Sequence, residues 1–508
     1  MKNEECTKGK NVESQTSRSS FFLLPSSFVL VLLLALAVRL PHLGARPMHT
    51  DEAVNAYLTG QLLAGQPYHY DPTDRHGPAL FAIAQPLAEL CGARHFSDLT
   101  EFELRLGPAI IGAVTVLLFS AGVEMFGLTA CLVAALLFAV SPLPVYYSRY
   151  FIHETLFVAA TLGLMLSGWR MLCGTSGERK PWIPGAVAGF CAALMLACKE
   201  TAPLHFLALG IAALAGFFLP PRSKMPSLKF VAVAAGVFAI VTVLLFTWFG
   251  KNWAVFADLV HAVPNFAARA GGAGHQKPFG YYFHLIDPMV VLTLVAVGGA
   301  YAAICDAVGG VRKAPVMLCI YGLVIFLMYS GIPYKTPWLA LNLWLPLSLM
   351  CGLGVAAFKE QISNAAGRWV VVVAGAFLLA LLALETKVLV FDRPADEKNP
   401  LAYAHTSEDL LGLAPRLGQL VAENNLKQPR IAVVAADPWP LPWYLRKFAQ
   451  VGYWQPGQDT GPATFFITPS DLPDSLTAPF KDFRPEFFGA RPGVLFILWI
   501  PPGLKISP

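Results

Sequence analysis

FFLLPSSFVLVLLLALAVRLPHL, residues 21–43, is the stretch on which the fold turns, and HTDEAVNAYLTGQLLAG at 49–65 is its sequel. The first is a full-length apolar run, long enough as a helix to cross a hydrocarbon core of about 30 Å. It lacks the short apolar core and small-residue exit of a cleaved signal peptide, so it reads as an uncleaved first span. The second opens on His49-Thr50-Asp51-Glu52, two adjacent carboxylates beside a histidine just past that span. Acids in a first helical turn favour the positive end of the helix dipole, which is a sufficient structural reason for them. The apolar stripe Val54, Tyr57, Leu58 and Leu62 adds a second reason, since it would hold the helix on a membrane surface with the carboxylates turned to a cavity.

Apolar runs recur outward from that point, at 104–126, 128–148, 152–173, 183–199, 202–219, 228–250, 284–304, 314–332, 337–357 and 369–391. The chain is 56% hydrophobic and 14% charged over 508 residues, where soluble proteins carry about a quarter charged. The expected fold is a polytopic α-helical membrane protein of about 11 transmembrane helices, with a small C-terminal α/β domain outside the membrane. ALFAIAQPLAELCG at 79–92 is too short to span and contains Pro86, so an interfacial helix is expected there. The nine cysteines lie mostly inside apolar runs with no CxxC pair, and read as small packing residues. A net charge of +5 without a basic run or interleaved aromatics gives no footing for nucleic acid.

Short-loop charge sets the direction. With a cytoplasmic N-terminus, the inside segments carry Lys2, Lys8, Lys10 and Arg18, then Arg170, Arg179 and Lys180, then Arg222, Lys224 and Lys229. Arg312 with Lys313, and Lys359 with Arg368, complete a basic inner face, as the positive-inside rule requires. The chain then divides into a cytoplasmic tail (1–20), a transmembrane domain (21–391) with outer loops at 44–103 and 251–283, and an outer α/β domain (392–508). That last part has a helix candidate at 407–426 capped by Ser407, and strand-like runs at 430–435, 463–468 and 494–500. The unusual polar clusters all fall on one face, so the active surface is expected on the periplasmic or extracellular side of the inner (cytoplasmic) membrane.

Several residues on that face are candidates for chemistry. His76, after Asp74 and Arg75 in a turn-rich loop, is placed to approach a phosphate or a sugar. His153 and Glu154 open a span, and with Asp51 would suit a divalent cation, Mg²⁺, Mn²⁺ or Zn²⁺; a plain Glu154–Arg149 pair is the alternative. Lys199 is a point charge for a phosphate or the partner of Glu200, and Lys335, walled by Tyr334 and Trp338, is a phosphate contact or a snorkelling anchor. His275 and Lys277 follow a glycine-rich run that lacks the GxxxxGK[ST] pattern, so a loop ordering over substrate is expected and no organic cofactor.

Asp51-Glu52, His76-Gly77-Pro78, Arg149-Tyr150 with His153-Glu154, Lys199-Glu200-Thr201 and Tyr334-Lys335-Thr336-Pro337-Trp338 together resemble the GT-C superfamily of polytopic glycosyltransferases. The similarity is to protein O-mannosyltransferases and lipid A aminoarabinose transferases. It is closer still to the flippase-activity-associated membrane proteins described with archaeal N-glycosylation, whose activity does not follow from their name. The resemblance spans roughly 21–391. It implies an inverting transfer of a sugar from a polyprenyl-phosphate donor to an outward-facing protein, lipid or glycan, with Asp51 as catalytic base and Glu52 beside it. It also implies that Arg149, Lys199 and Lys335 contact the donor phosphate. The rival expectation is a flippase accessory that moves a lipid-linked sugar without breaking a bond. Charge concentrated at one face, rather than mid-span, favours the enzyme.

Overall fold

The computed structural model describes residues 26–73, 76–173, 181–220, 225–271, 275–286 and 290–506. The tail 1–20, Asp74, Arg75, Arg179, Lys180, Arg222, Lys224 and the Gly272-Ala273-Gly274 run of the sequence reading lie outside the described residues. Two compact units emerge. The first comprises residues 1–41, 68–82 and 106–391, and the second comprises 42–67, 83–105 and 392–508.

The first unit is a helical membrane domain. Among the described residues, seven helices are long and apolar enough to cross a bilayer: Glu101–Phe126, Glu154–Cys173, Leu228–Phe246, Val291–Val308, Ala314–Gly331, Pro337–Gln361 and Ala365–Asp392. Leu128–Val140 and Pro142–Ser148 make an eighth if the pair, bent by 59°, is one span. The bend has a covalent cause. Pro142 forces Ser141 into an extended conformation (φ −74°, ψ 147°), and helices end before such a residue. Ser26–Arg39, Trp182–Cys198 and Ala202–Phe218 are helical but shorter, so each of the eleven apolar runs carries a helix while seven or eight have full span length.

Small residues let these helices approach. A Cβ on Gly299 would lie 2.0 Å from the Met350 carbonyl oxygen, and one on Gly354 would lie 2.2 Å from that of Val295. The two backbones meet there because lipid offers no hydrophobic drive, leaving close van der Waals contact to hold helices together.

The second unit is α/β. Strands β1 (Ile431–Val434), β2 (Val451–Trp454), β3 (Phe465–Pro469), β4 (Arg484–Arg491) and β5 (Val494–Ile500) form one mixed sheet in the order β2-β1-β3-β5-β4. β1 runs parallel to both β2 and β3, and β5 runs antiparallel to β3 and β4. Interior strand β1 is buried along its whole length, as its unbroken IAVV demands. The β4–β5 hairpin turns at Gly493, whose φ of 76° only glycine takes without strain. β1, β3 and β5 coincide with the three strand-like runs of the sequence. Ser407 caps a 3-10 turn, Glu408–Gly412, that leads into the helix Leu413–Glu423, so the helix starts later than the sequence suggested.

Candidate active site

The helix Thr50–Leu63 of the second unit carries both acids, and its N-terminus is a capping box built on histidine. His49 Nδ1 accepts the Asp51 N–H at 3.0 Å, and the Glu52 carboxylate accepts the His49 N–H at 3.2 Å. The other ring nitrogen faces the Tyr403 carbonyl at 3.1 Å. A carbonyl only accepts, so Nε2 carries the proton and Nδ1 is the bare acceptor. Burial pushes the His49 imidazole below its ordinary pKa against the pull of Asp51 and Glu52. His405, 5.6 Å away ring to ring, is driven well below by burial and by Arg46 and His49.

The two acids have different surroundings. Glu52 is fully buried, its two oxygens 2.7 Å from Nε and Nη2 of Arg105. The rest of that guanidinium donates to the carbonyls of Leu43, Arg46 and Pro47 at 2.8–3.1 Å. This fork ties down the approach to the helix and engages both oxygens of Glu52 with protein donors. The Asp51 side chain is 47% exposed, and its carboxylate comes only within 4.0 Å of His49 Nδ1, which is not a donor. Among the described residues it accepts no hydrogen bond from the protein.

The first unit holds the other candidates. Gly77 packs against the end of the helix Trp182–Cys198, its N–H donating to the Cys198 carbonyl at 3.3 Å. A Cβ there would stand 2.2 Å from the Ala197 oxygen, which explains the glycine in His76-Gly77-Pro78. The contact brings His76 Nδ1 to 2.9 Å from Glu200, with the Tyr70 hydroxyl 3.3 Å from the same carboxylate. Burial would raise the Glu200 pKa, but the charge and hydrogen bond of His76 prevail and hold it down to about 2. His153 is buried with Nε2 3.0 Å from the Gly77 carbonyl.

Lys199 bonds Glu154, not its sequence neighbour Glu200, and both partners are buried. Its extended backbone (φ −152°, ψ 150°) turns it away from the helix it follows. Arg149 is also occupied: its guanidinium donates to the Arg39 carbonyl and, at 2.7 Å, to that of Pro41, and lies 4.7 Å over the Phe391 ring. It braces the exit of the helix Ser26–Arg39, an arrangement that suits a cation at a helix C-terminus.

Lys335 differs. Its residue is 1% exposed, and its ammonium reaches the carbonyls of Ile332 and, at 3.2 Å, Lys277. Among the described residues no carboxylate pairs with it. The segment is locked to the 251–283 loop by an antiparallel bridge between Gln276 and Tyr334, with Lys277 N–H on the Pro333 carbonyl and Lys335 N–H on that of His275. The Tyr334 ring packs edge-on to His275 at 4.9 Å. Lys277 thus supplies its backbone to this corner.

The residues of the metal reading, His153, Glu154 and Asp51, are not grouped as a set among the described residues. Glu154 is given over to the Lys199 ammonium, and His153 holds the Gly77 carbonyl through Nε2. Among the described residues no three His, Cys, Asp or Glu side chains group as a metal set. Sequence reasoning missed Arg105, Arg46, His405 and the His205 network, whose ring nitrogens meet the hydroxyls of Tyr321 at 2.9 Å and Tyr329 at 2.7 Å. A lone arginine in the apolar LRLGP was the available signal for Arg105; its partner, 53 positions away, had none.

Comparison with known proteins agrees with this architecture. Residues 76–257 match the family model of the dolichyl-phosphate-mannose-protein mannosyltransferases. No curated protein sequence matches the chain. Among solved structures, ArnT from Cupriavidus metallidurans bound to undecaprenyl phosphate is 15% identical, with a TM-score of 0.64 over 94% of this chain and 99% of that one. The oligosaccharyltransferase AglB from Archaeoglobus fulgidus, in complex with an inhibitory peptide and a dolichol-phosphate, is 14% identical, with a TM-score of 0.58 over 93% and 74%. It is matched also in a complex with Zn and sulfate. The mycobacterial arabinofuranosyltransferase AftD is 14% identical, with a TM-score of 0.51, and this chain spans 40% of its length. The chain thus has the fold of these solved membrane proteins, and residues 76–257 are similar to the dolichyl-phosphate-mannose-protein mannosyltransferases.

Proposed function

We propose that the protein transfers a sugar from a polyprenyl-phosphate donor to an acceptor hydroxyl on the outer side of the cytoplasmic membrane, with inversion. The Asp51 carboxylate takes the acceptor proton as the acceptor oxygen attacks the anomeric carbon. The bond from that carbon to the phosphate oxygen breaks, and polyprenyl phosphate leaves with the electron pair. A base must be within hydrogen-bond reach of the proton it takes, and the observation that carries the assignment is the contrast within one helical turn. Glu52 has both oxygens on Arg105, while Asp51 keeps a half-exposed carboxylate without a protein donor.

The leaving phosphate needs positive charge that substrate alone completes. Lys335 is the candidate, a cation in a buried residue held by neutral carbonyls. Lys199, Arg149 and His76 arrange the surrounding polar groups, since each is engaged within the protein. Each assignment rests on geometry inside its own unit. No step is routed through a divalent cation, since among the described residues no three His, Cys, Asp or Glu side chains group to hold one. The expected orientation, with a cytoplasmic N-terminus and an outward active face, belongs to this reading.

Asp51→Asn tests it. The variant should lose about 10²–10⁴-fold in transfer of mannose from a polyprenyl-phosphate-mannose probe to native envelope membranes, while binding of that probe is retained. Transfer at the wild-type rate would overturn the assignment. A chain that moves the probe across vesicle membranes with no transfer would favour the flippase reading.

A further inference from the structure

The three residues before Asp51 are each held by a different part of the C-terminal segment of the same unit. The Met48 N–H donates to the Tyr444 hydroxyl at 2.9 Å, and the Met48 carbonyl accepts from Thr406 at 2.7 Å. His49 is bonded through its ring to the Tyr403 carbonyl. Thr50 Oγ1 accepts from Nη1 of Arg491 at 3.2 Å. The first three contacts fix the incoming backbone and the cap. The fourth touches the first residue of the helix itself, and it comes from a charged fork at the end of β4.

That fork has two further partners. Arg491 Nη2 lies 2.9 Å from Asp437 Oδ2, and Nη1 lies 3.2 Å from the Trp439 carbonyl. Asp437 accepts the Trp439 N–H at 3.1 Å, so the segment after β1 is itself set by the pair. A planar guanidinium with three partners on two segments fixes direction as well as distance, which a flexible ammonium does not. The Arg491 side chain is 22% exposed and that of Asp437 is 52% exposed, so this pair is not part of the packed interior. Its placement beside Thr50 calls for a reason other than stability, because exposed pairs contribute little of it.

We propose that the C-terminal α/β segment is the mount of Asp51, with Arg491 as the positioning residue that sets where the carboxylate stands. This rests on the catalytic reading of Asp51 above. Misplacing a reacting group by about 1 Å costs up to about 100-fold in rate, so the effect should appear in turnover and not in donor affinity.

The test uses the full chain in detergent with the polyprenyl-phosphate-mannose probe. Arg491→Met should lower kcat about 10- to 100-fold, with donor KM within about twofold and the thermal midpoint little changed. Arg491→Lys should recover part of the loss, since it reaches fewer of the three partners. Asp51→Asn combined with Arg491→Met should be no slower than Asp51→Asn alone, because a residue acting through Asp51 has nothing left to position. Losses that multiply would overturn the inference, and so would a raised donor KM at unchanged kcat, or a midpoint that falls in step with activity. Full activity in Asp51→Asn alone would show instead that the underlying catalytic reading is at fault.

Discussion

At the scale of single residues, the pair Asp51-Glu52 divides into a group with a fixed partner and a group without one. Glu52, buried against Arg105, belongs to the class of ion pairs whose breakage leaves a charge stranded. Glu52→Gln should therefore destabilise the second unit by about 3–5 kcal/mol, seen as a lower thermal midpoint, while Arg105 remains buried with half its fork unmatched. A midpoint unchanged from wild type would show that the fork is not what holds the first outer segment. None of this was legible in the sequence beyond the acids themselves. The HTDE stretch marked a candidate, but which acid was committed to a partner depended on an arginine 53 positions away. Lys199 shows the same limit, since adjacency suggested Glu200 while the chain directs it to Glu154, 45 positions back.

Among the elements, the close approach of Gly77 to the last turn of the helix Trp182–Cys198 organises the polar corner of the membrane domain. It sets His76 on Glu200 and gives His153 its carbonyl partner. Gly77→Ala would put a methyl group 2.2 Å from the Ala197 oxygen, so the strand of loop must move away from the helix. Donor binding should weaken at least tenfold, about 1.4 kcal/mol, in a titration with the polyprenyl-phosphate probe, whereas the distant Gly210→Ala, with nothing within 4 Å of its Cβ, should leave it unchanged. The helices were legible because a long apolar run has few alternatives to a helix in lipid. β2 and β4 were not: VGYW is four residues long, and β4 begins on polar Arg484-Pro485-Glu486 at the sheet edge.

For the whole molecule, mild acid should loosen the second unit through two buried histidines. His49 and His405 are held below their ordinary pKa by burial, so the unfolded chain takes up the protons first. Stability of the second unit is thus complete above about pH 6.5 and falls as pH drops below it. Glu200 has the opposite origin: its folded pKa, about 2, lies below the ordinary carboxylate value of 4.5, so its contribution persists until pH falls below that value. Hydrogen exchange, corrected for intrinsic rate, should show faster opening of residues 48–52 and 403–406 at pH 5.5 than at pH 7.5. Equal protection of these residues at both values would refute the histidine account. The grouping of 42–67 and 83–105 with 392–508 left no trace in the local sequence, since contacts across such separations carry no periodicity to read. That discontinuity has a consequence in time. At about 5–20 residues per second, synthesis takes on the order of tens of seconds to pass from Arg105 to Asp392. Throughout that interval the helix of Asp51 exists without Tyr403, Thr406, Tyr444 or Arg491 to hold it. On the reading proposed above, a chain interrupted during synthesis carries the acid but not its mount, and activity arrives only with the last segment made.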